Sequence, residues 1–319
     1  MLKSTLSAGF AIALSLIAVT AARADITVYS ASPAGLIDQL SKGFTAKTGV
    51  KVNVYQATTG QIMARIQSEA ANPVVDVLIS ASWDTATDFA KRGWLVDYDS
   101  PNAATVSDFL KSPGAVAQGV SALAIAWNPS SNTPEPAEWS DLTKPEYKDL
   151  VNIPDPALSG SGFELTAALA GQDDFALFKS LKANGAVVAG ANADALNATL
   201  QGAKAVTFGA VDYNVLAAAK KGETIKTIFP KGGTVIAPRP MMILNWSKQQ
   251  DDAKKFVDYV LSDEGQAAVA KAQLMPARTD VKADRPLITD LTLLKYDTAT
   301  VYGKRDATLK SFADIFAAQ

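Results

Sequence analysis

The sequence predicts an α/β fold of two lobes joined by two strand crossings, with a ligand cleft between them. Three features predict it. After the first two dozen residues, apolar β-branched runs alternate with helix-period segments, and a second stretch ending near Pro230 repeats that alternation. Two further apolar segments, 119–128 and 233–246, stand where the chain leaves the first unit and where it could return to it.

In order, residues 25–32 (DITVYSAS) read as a strand, and the helix-period text over 34–48 closes at Gly49. A strand over 50–57, a helix over about 60–71, a strand over 74–80 and a helix over about 83–92 ending at Gly93 complete the first unit. After the strand-like 119–128 comes a Pro/Ser-rich loop, 129–142, and then the second unit. It holds VNIPDP, a helix after Gly162, a strand over 186–189, a helix over 193–201, the strand AVTFGAV and a helix over 213–221. The tail 247–278 places Ala253, Phe256, Val257, Val260 and Leu261 on one face, which predicts an amphipathic helix packed on a lobe.

The chain opens MLKSTLSAGFAIALSLIAVTAARA, with Lys3, a short apolar run from Leu6 to Val19 and Ala22-Arg23-Ala24 as a small-x-small site. This pattern predicts a cleaved secretory signal peptide over 1–24 and a freely diffusing mature chain from Asp25. Loss of Lys3 and Arg23 turns 30 basic and 32 acidic side chains into 28 and 32, a mature net charge of about −4. That balance, without basic runs, argues against a nucleic-acid or anionic-membrane partner. Cys and His are absent, which excludes disulfides, thiolate catalysis, His/Cys zinc centres and Ser-His-Asp devices. Stability then rests on core burial, for which 48% hydrophobic residues suffice. No cofactor is expected.

Each early strand runs into a small-residue loop that opens a helix: Ser30-Ala31-Ser32, Ala57-Thr58-Thr59-Gly60 and Ser80-Ala81-Ser82. Ser159-Gly160-Ser161-Gly162 has the same form in the second unit. In an open α/β sheet such loops share the edge beyond the carboxyl ends of the strands. First-turn N–H groups lack intrahelical partners and suit an anion, and glycine lets a ligand approach the backbone. Ser32, Thr59 and Ser82 read equally as N-caps, a role compatible with ligand contact.

Taken together, ITVYSASPAGLIDQLSKGFTAKTGVKVNV, ARIQSEAANPVVDVLIS, DPALSGSGF and AKKFVDYVLSDEGQAAVAKAQLMPAR, in that order and spacing, resemble the type II periplasmic solute-binding proteins of ABC transporters, in the ferric-binding and 2-aminoethylphosphonate-binding group. The resemblance covers nearly the whole mature chain. It implies the type II periplasmic-binding-protein fold, with lobe 1 over 25–122 plus 244–319 and lobe 2 over 123–243. It also implies a monomeric, periplasmic, non-enzymatic protein that closes on a small anionic solute and delivers it to permease subunits in the inner membrane.

Ferric-binding members use two adjacent tyrosines where this chain has Asp212-Tyr213, so the metal pattern is broken, though one carboxylate and one phenolate remain oxygen ligands for Fe³⁺. The positions matching their synergistic-anion site persist as Ser159, Gly160 and Ser161, with Asn192 as partner. A retained anion cradle beside lost metal ligands implies a solute carrying its own phosphorus group, 2-aminoethylphosphonate first, with ferric iron or a sugar phosphate as alternatives. Ser159 to Gly162 and the first-lobe loops, including Ser30, Ser32, Thr58, Thr59, Gly60, Ser80 and Ser82, would hold the phosphonate, Asp212 would pair the ammonium and Tyr213 would pack on the ethyl chain. Asp84 is a second ammonium candidate or a favourable helix-dipole charge. Arg239 either reaches the phosphonate or forms a surface ion pair near the hinge, and Trp83 and Tyr29 are packing groups or ligand contacts. A phosphoester or phosphonate hydrolase on the same loops lacks an evident base and a metal cluster, and a transcription regulator lacks a helix-turn-helix.

Overall fold

A computed structural model describes residues 24–317; the leader expected over 1–24 lies outside them except for Ala24. The elements in chain order are β1 (Ile26–Ser30), α1 (Ala34–Thr48), β2 (Val52–Gln56), α2 (Thr59–Ser68), β3 (Val77–Ile79), α3 (Asp84–Lys91), β4 (Lys111–Ser112), β5 (Ala115–Trp127), β6 (Val151–Ile153), α4 (Gly160–Asp173), α5 (Ala176–Ala183), β7 (Val187–Val188), α6 (Asn192–Leu200), β8 (Val206–Val211), α7 (Asp212–Lys220), β9 (Lys226–Ile228), β10 (Ile236–Ile243), α8 (Gln250–Val260), α9 (Asp263–Lys271), β11 (Met275–Pro276), α10 (Thr298–Gly303) and α11 (Arg305–Ala317).

Local chemistry sets the early boundaries. Gly49 ends α1 in the left-handed region at φ 73°, returning its N–H to Thr45 O at 2.8 Å, a closure that a side chain would resist. Thr58 and Gln61 form a capping box that starts α2: Gln61 N donates to Thr58 Oγ1 at 3.2 Å and Thr58 N to Gln61 Oε1 at 3.1 Å. The second-unit helix begins at Gly160, three residues before the expected start after Gly162, because Ser159 caps it.

The strands run β2-β1-β3-β10-β5-β8-β6-β7, with β4, β9 and β11 also on β5. β1 is parallel to β2 and β3, whereas β10 is antiparallel to both β3 and β5. Every residue of β5 is buried, and the strand serves two sheets. Ala115 to Ala122 pair with β10, and Leu123 to Trp127 pair with β8 and β9. This is the first crossing, and its change of partner falls between Ala122 and Leu123. The second crossing precedes β10, where Leu123 N donates to Val235 O at 3.0 Å. β10 therefore lies in the first-lobe sheet, earlier than the expected boundary after 243, because its pairing with β3 and β5 begins at Ile236.

The tail differs from the single expected helix. The predicted face is buried, with Ala253, Phe256 and Val260 fully so, but the helix stops at Leu261 and a new one begins at Asp263. Ser262 causes the break by capping α9, its Oγ accepting from Gly265 N at 3.2 Å. The final helices α10 and α11 also differ from expectation: they pack on α4, and α11 on α5, in the second lobe rather than the first. Aromatic contact explains this, since Phe312 of α11 meets Phe178 of α5 edge-on at 5.5 Å.

The α8–α9 junction is tight: a Cβ on Gly265 would lie 2.3 Å from Tyr259 O and 2.4 Å from Val260 O, both backbone atoms. Gly265→Ala is expected to lower stability by about 1–3 kcal/mol in urea unfolding; an unchanged midpoint would show that the junction yields freely.

Candidate functional site

Arg239 lies on β10 between Pro238 and Pro240, where the pairing with β5 shifts register. Proline has no N–H for the ladder, so a central strand tolerates two of them only where pairing is broken, and the irregularity re-aims the residue between them. The Arg239 side chain is 1% exposed. Nη1 donates to Ala31 O at 2.8 Å and Nη2 to the Tyr213 hydroxyl at 3.0 Å, with the Tyr213 ring centroid 5.1 Å from the guanidinium carbon. Nε has no partner, and among the described residues no carboxylate pairs with Arg239, so the hinge ion pair is not formed. A buried cation without a counter-charge is unfavourable unless something supplies one.

Around it the small-residue loops converge. Two Ser-Ala-Ser turns have the same internal bond: Ser32 N donates to Ser30 Oγ at 3.1 Å, and Ser82 N to Ser80 Oγ at 3.3 Å. Ser32 Oγ donates to Gln118 Oε1 at 2.6 Å, and the Gln118 Nε2 is a second buried donor without a partner among the described residues. Gln118 was not a sequence candidate; its signal was a long polar side chain within the apolar β5 segment AVAQGVSALAIAW. Ala81 N donates to Thr59 Oγ1 at 3.3 Å, and Gly60 N donates across the lobes to Leu158 O at 3.2 Å. A Cβ on Gly160 would lie 2.7 Å from Thr59 Oγ1 and 3.1 Å from the Ala81 carbonyl carbon. The lobes are closed on one another here, and glycine is what lets the backbones meet.

Several expected contacts have other partners. Ser159 Oγ accepts from Gly162 N at 3.0 Å and from Asn192 Nδ2 at 3.3 Å. Asn192 also donates to Gly209 O at 3.2 Å and accepts from Val211 N at 2.6 Å, so it braces the cradle from behind. Ser161 Oγ has only a long contact to Ser159 Oγ, at 3.4 Å, and the amides of Gly160 and Ser161 precede any intrahelical acceptor. The Thr58 hydroxyl is taken by its capping box, the Ser80 hydroxyl shares a 2.8 Å bond with Thr85, and the Ser82 hydroxyl donates to Glu164 at 2.6 Å. Tyr29 is a packing group: its hydroxyl donates to Glu69 at 2.7 Å, and burial, with Glu69 adding to it, pushes the phenol up to about 12. Trp83 packs between core clusters.

Asp212 corrects the expectation most sharply. It is fully buried and accepts from Ala122 N at 2.9 Å, from Tyr213 N at 2.7 Å and from the Arg285 guanidinium. An ammonium or a metal would have to displace Arg285. Arg285 lies 73 residues further along the chain, where no local pattern marks it. Asp84 is likewise paired, with Arg305 at 2.6 Å.

Residues 26–272 match the model of bacterial extracellular solute-binding proteins. An uncharacterised Haemophilus influenzae protein is 25% identical over 299 residues, 86% of this chain and 85% of the relative. A Salmonella typhimurium periplasmic protein, provisionally named for 2-aminoethylphosphonate binding, is 27% identical over 254 residues, 75% and 73% of the two chains. In fold, the chain superposes with TM-score 0.85 on the periplasmic binding protein AfuA of Actinobacillus pleuropneumoniae with fructose-6-phosphate bound (24% identity, 93% and 100% of the chains). Iron-bound HitA of Pseudomonas aeruginosa follows the same two-lobed path with TM-score 0.80 (22% identity, 92% and 99%).

Asp212→Ala leaves Arg285 and the Ala122 N–H buried without their acceptor and is expected to cost about 3–5 kcal/mol in urea unfolding. A midpoint within error of the parent protein would return Asp212 to the solute.

Proposed function

The chain belongs to the bacterial extracellular solute-binding protein family, and on that premise we propose that it is the monomeric, periplasmic binding component of an ABC importer, closing its lobes on a small organophosphorus anion. The family binds small solutes and works with ABC permease and ATPase components. The observation that carries the anion is Arg239, a buried guanidinium without a carboxylate among the described residues. It uses two of its five N–H groups and keeps three, Nε among them, for a planar pair of oxygens. Ser161, the first-turn amides of α4, Gln118 Nε2 and the Tyr213 hydroxyl hydrogen supply donors around the remaining oxygens.

Ferric iron fits this surrounding less well. The Tyr213 oxygen already faces Arg239 at 3.0 Å, so a metal there would sit beside an uncompensated cation. Even two unit charges about 4 Å apart repel by about 4 kcal/mol at an effective dielectric near 20, and a trivalent ion by more. Within the organophosphorus class, the name of the Salmonella relative supports 2-aminoethylphosphonate, while the engagement of Asp212 by Arg285 removes the expected ammonium partner.

Titration calorimetry of the refolded, solute-free protein against 2-aminoethylphosphonate, fructose-6-phosphate and inorganic phosphate tests this, with visible absorbance on adding Fe³⁺ beside it. Binding of a phosphorus anion is expected, weakened by at least about 3 kcal/mol in Arg239→Met. Because the substitution also removes an unpaired buried charge, the solute-free variant should be as stable as the parent or more so. A coloured ferric complex without phosphorus binding, or unchanged affinity in the variant, would reject the reading.

A further inference from the structure

Glu164 lies on α4 in the second lobe, is 0% exposed and has no cationic partner among the described residues. Its Oε1 accepts from Ser82 Oγ at 2.6 Å and Trp83 N at 2.9 Å, both in the first-lobe loop that opens α3. The Tyr302 hydroxyl, on α10, donates to the same carboxylate at 3.0 Å. We propose that Glu164 is a protonatable clasp between the lobes, a positioning residue that favours the closed arrangement before a solute arrives and lets go as its proton leaves. The proposal rests on the reading above that this chain opens and closes as a binding protein.

Opening must pull Glu164 away from Ser82 and Trp83, because one side of the contact is α4 and the other is the loop after β3. The backbones are already in contact there, Gly160 lying against Ala81 and Ser82. When they separate, water reaches the carboxylate and its affinity for protons returns to the ordinary range near 4.5. In the closed form burial, with Asp84 adding, pushes the group up to about 7, against the opposing bonds from Ser82, Trp83 and Tyr302. The charged groups facing it are the Asp84–Arg305 pair, with Arg305 also lying over the Phe163 ring at 4.4 Å. The other titratable neighbours are Tyr302 and Tyr296, whose phenols burial raises far above neutrality and so keeps protonated.

The sign follows from linkage. The closed form holds the Glu164 proton more tightly than the open form, so protonation draws the lobes together. The added preference for closure is complete below the ordinary carboxylate range and is lost as pH rises through about 7. Glu164 does not compete for the solute in this role, since its oxygens already receive three donors.

Small-angle scattering of the solute-free protein, stripped by unfolding, dialysis and refolding, measures closure without any ligand. Between pH 5 and pH 8 the closed-to-open ratio is expected to fall about tenfold or more, the change one unit of pKa difference produces. Glu164→Gln keeps the shape and the acceptor oxygen but cannot titrate, so its radius of gyration should not follow pH. A radius in the parent protein that is the same at both pH values would overturn the clasp, and so would a Gln variant that tracks the parent curve. The parent titration decides the matter alone if the variant fails to fold. The two proposals separate cleanly: a pH-dependent radius without phosphorus binding removes the solute assignment only, and phosphorus binding with a pH-independent radius removes the clasp only.

Discussion

A buried guanidinium that no carboxylate pairs among the described residues governs the centre of this molecule. Arg239 is carried on a strand that belongs to the first-lobe sheet, touches the first-lobe loop through Ala31 O, and reaches the second lobe through the Tyr213 hydroxyl. Neutral oxygens orient it but do not cancel its charge, so the solute-free chain carries a desolvation penalty at the place where the lobes meet. In the proposed reading, an anion that completes the site relieves that penalty only when both lobes are in place. Differential affinity of this kind is what drives a two-state closure.

The acidic side chains nearby explain why the positive field persists. Asp212 is held by Arg285 and two amides, Asp84 by Arg305, and Glu164 by two hydroxyls and an amide. None is left to neutralise Arg239. Arg285, Tyr302 and Arg305 come from beyond the α9 helix, from a segment whose helices pack on the second lobe while Arg305 reaches the first. The end of the chain thus engages the carboxylates, and none of them reaches the guanidinium among the described residues.

Much of the scaffold was legible because it depends on neighbours in sequence. The glycine closure at Gly49 and the Ser159 cap each act within a few residues, whereas the caps expected at Ser32, Thr59 and Ser82 fall one residue off, at Pro33, Thr58 and Trp83. The two Ser-Ala-Ser turns and the Ser-Gly turn were therefore found as loops that open helices, and the structure brings them together. The break at Ser262 was legible too, in the Ser-Asp-Glu-Gly signature of an N-cap, but the amphipathic period running through it hid the stop. The roles of the individual loop residues were not legible, because a serine beside a helix start looks the same whether its hydroxyl meets Gly162, Gln118 or Glu164.

By itself the sequence determined the alternation of strands and helices, the absence of Cys and His chemistry, and the family whose two-lobed fold the chain adopts. These follow from composition and from interactions of short range. Only the tertiary structure decided that Arg239 has no carboxylate partner among the described residues while Asp212 has Arg285, and that the last helices cross to the second lobe. Burial and charge pairing join residues many positions apart, and the sign of a buried site depends on which of those partners arrive.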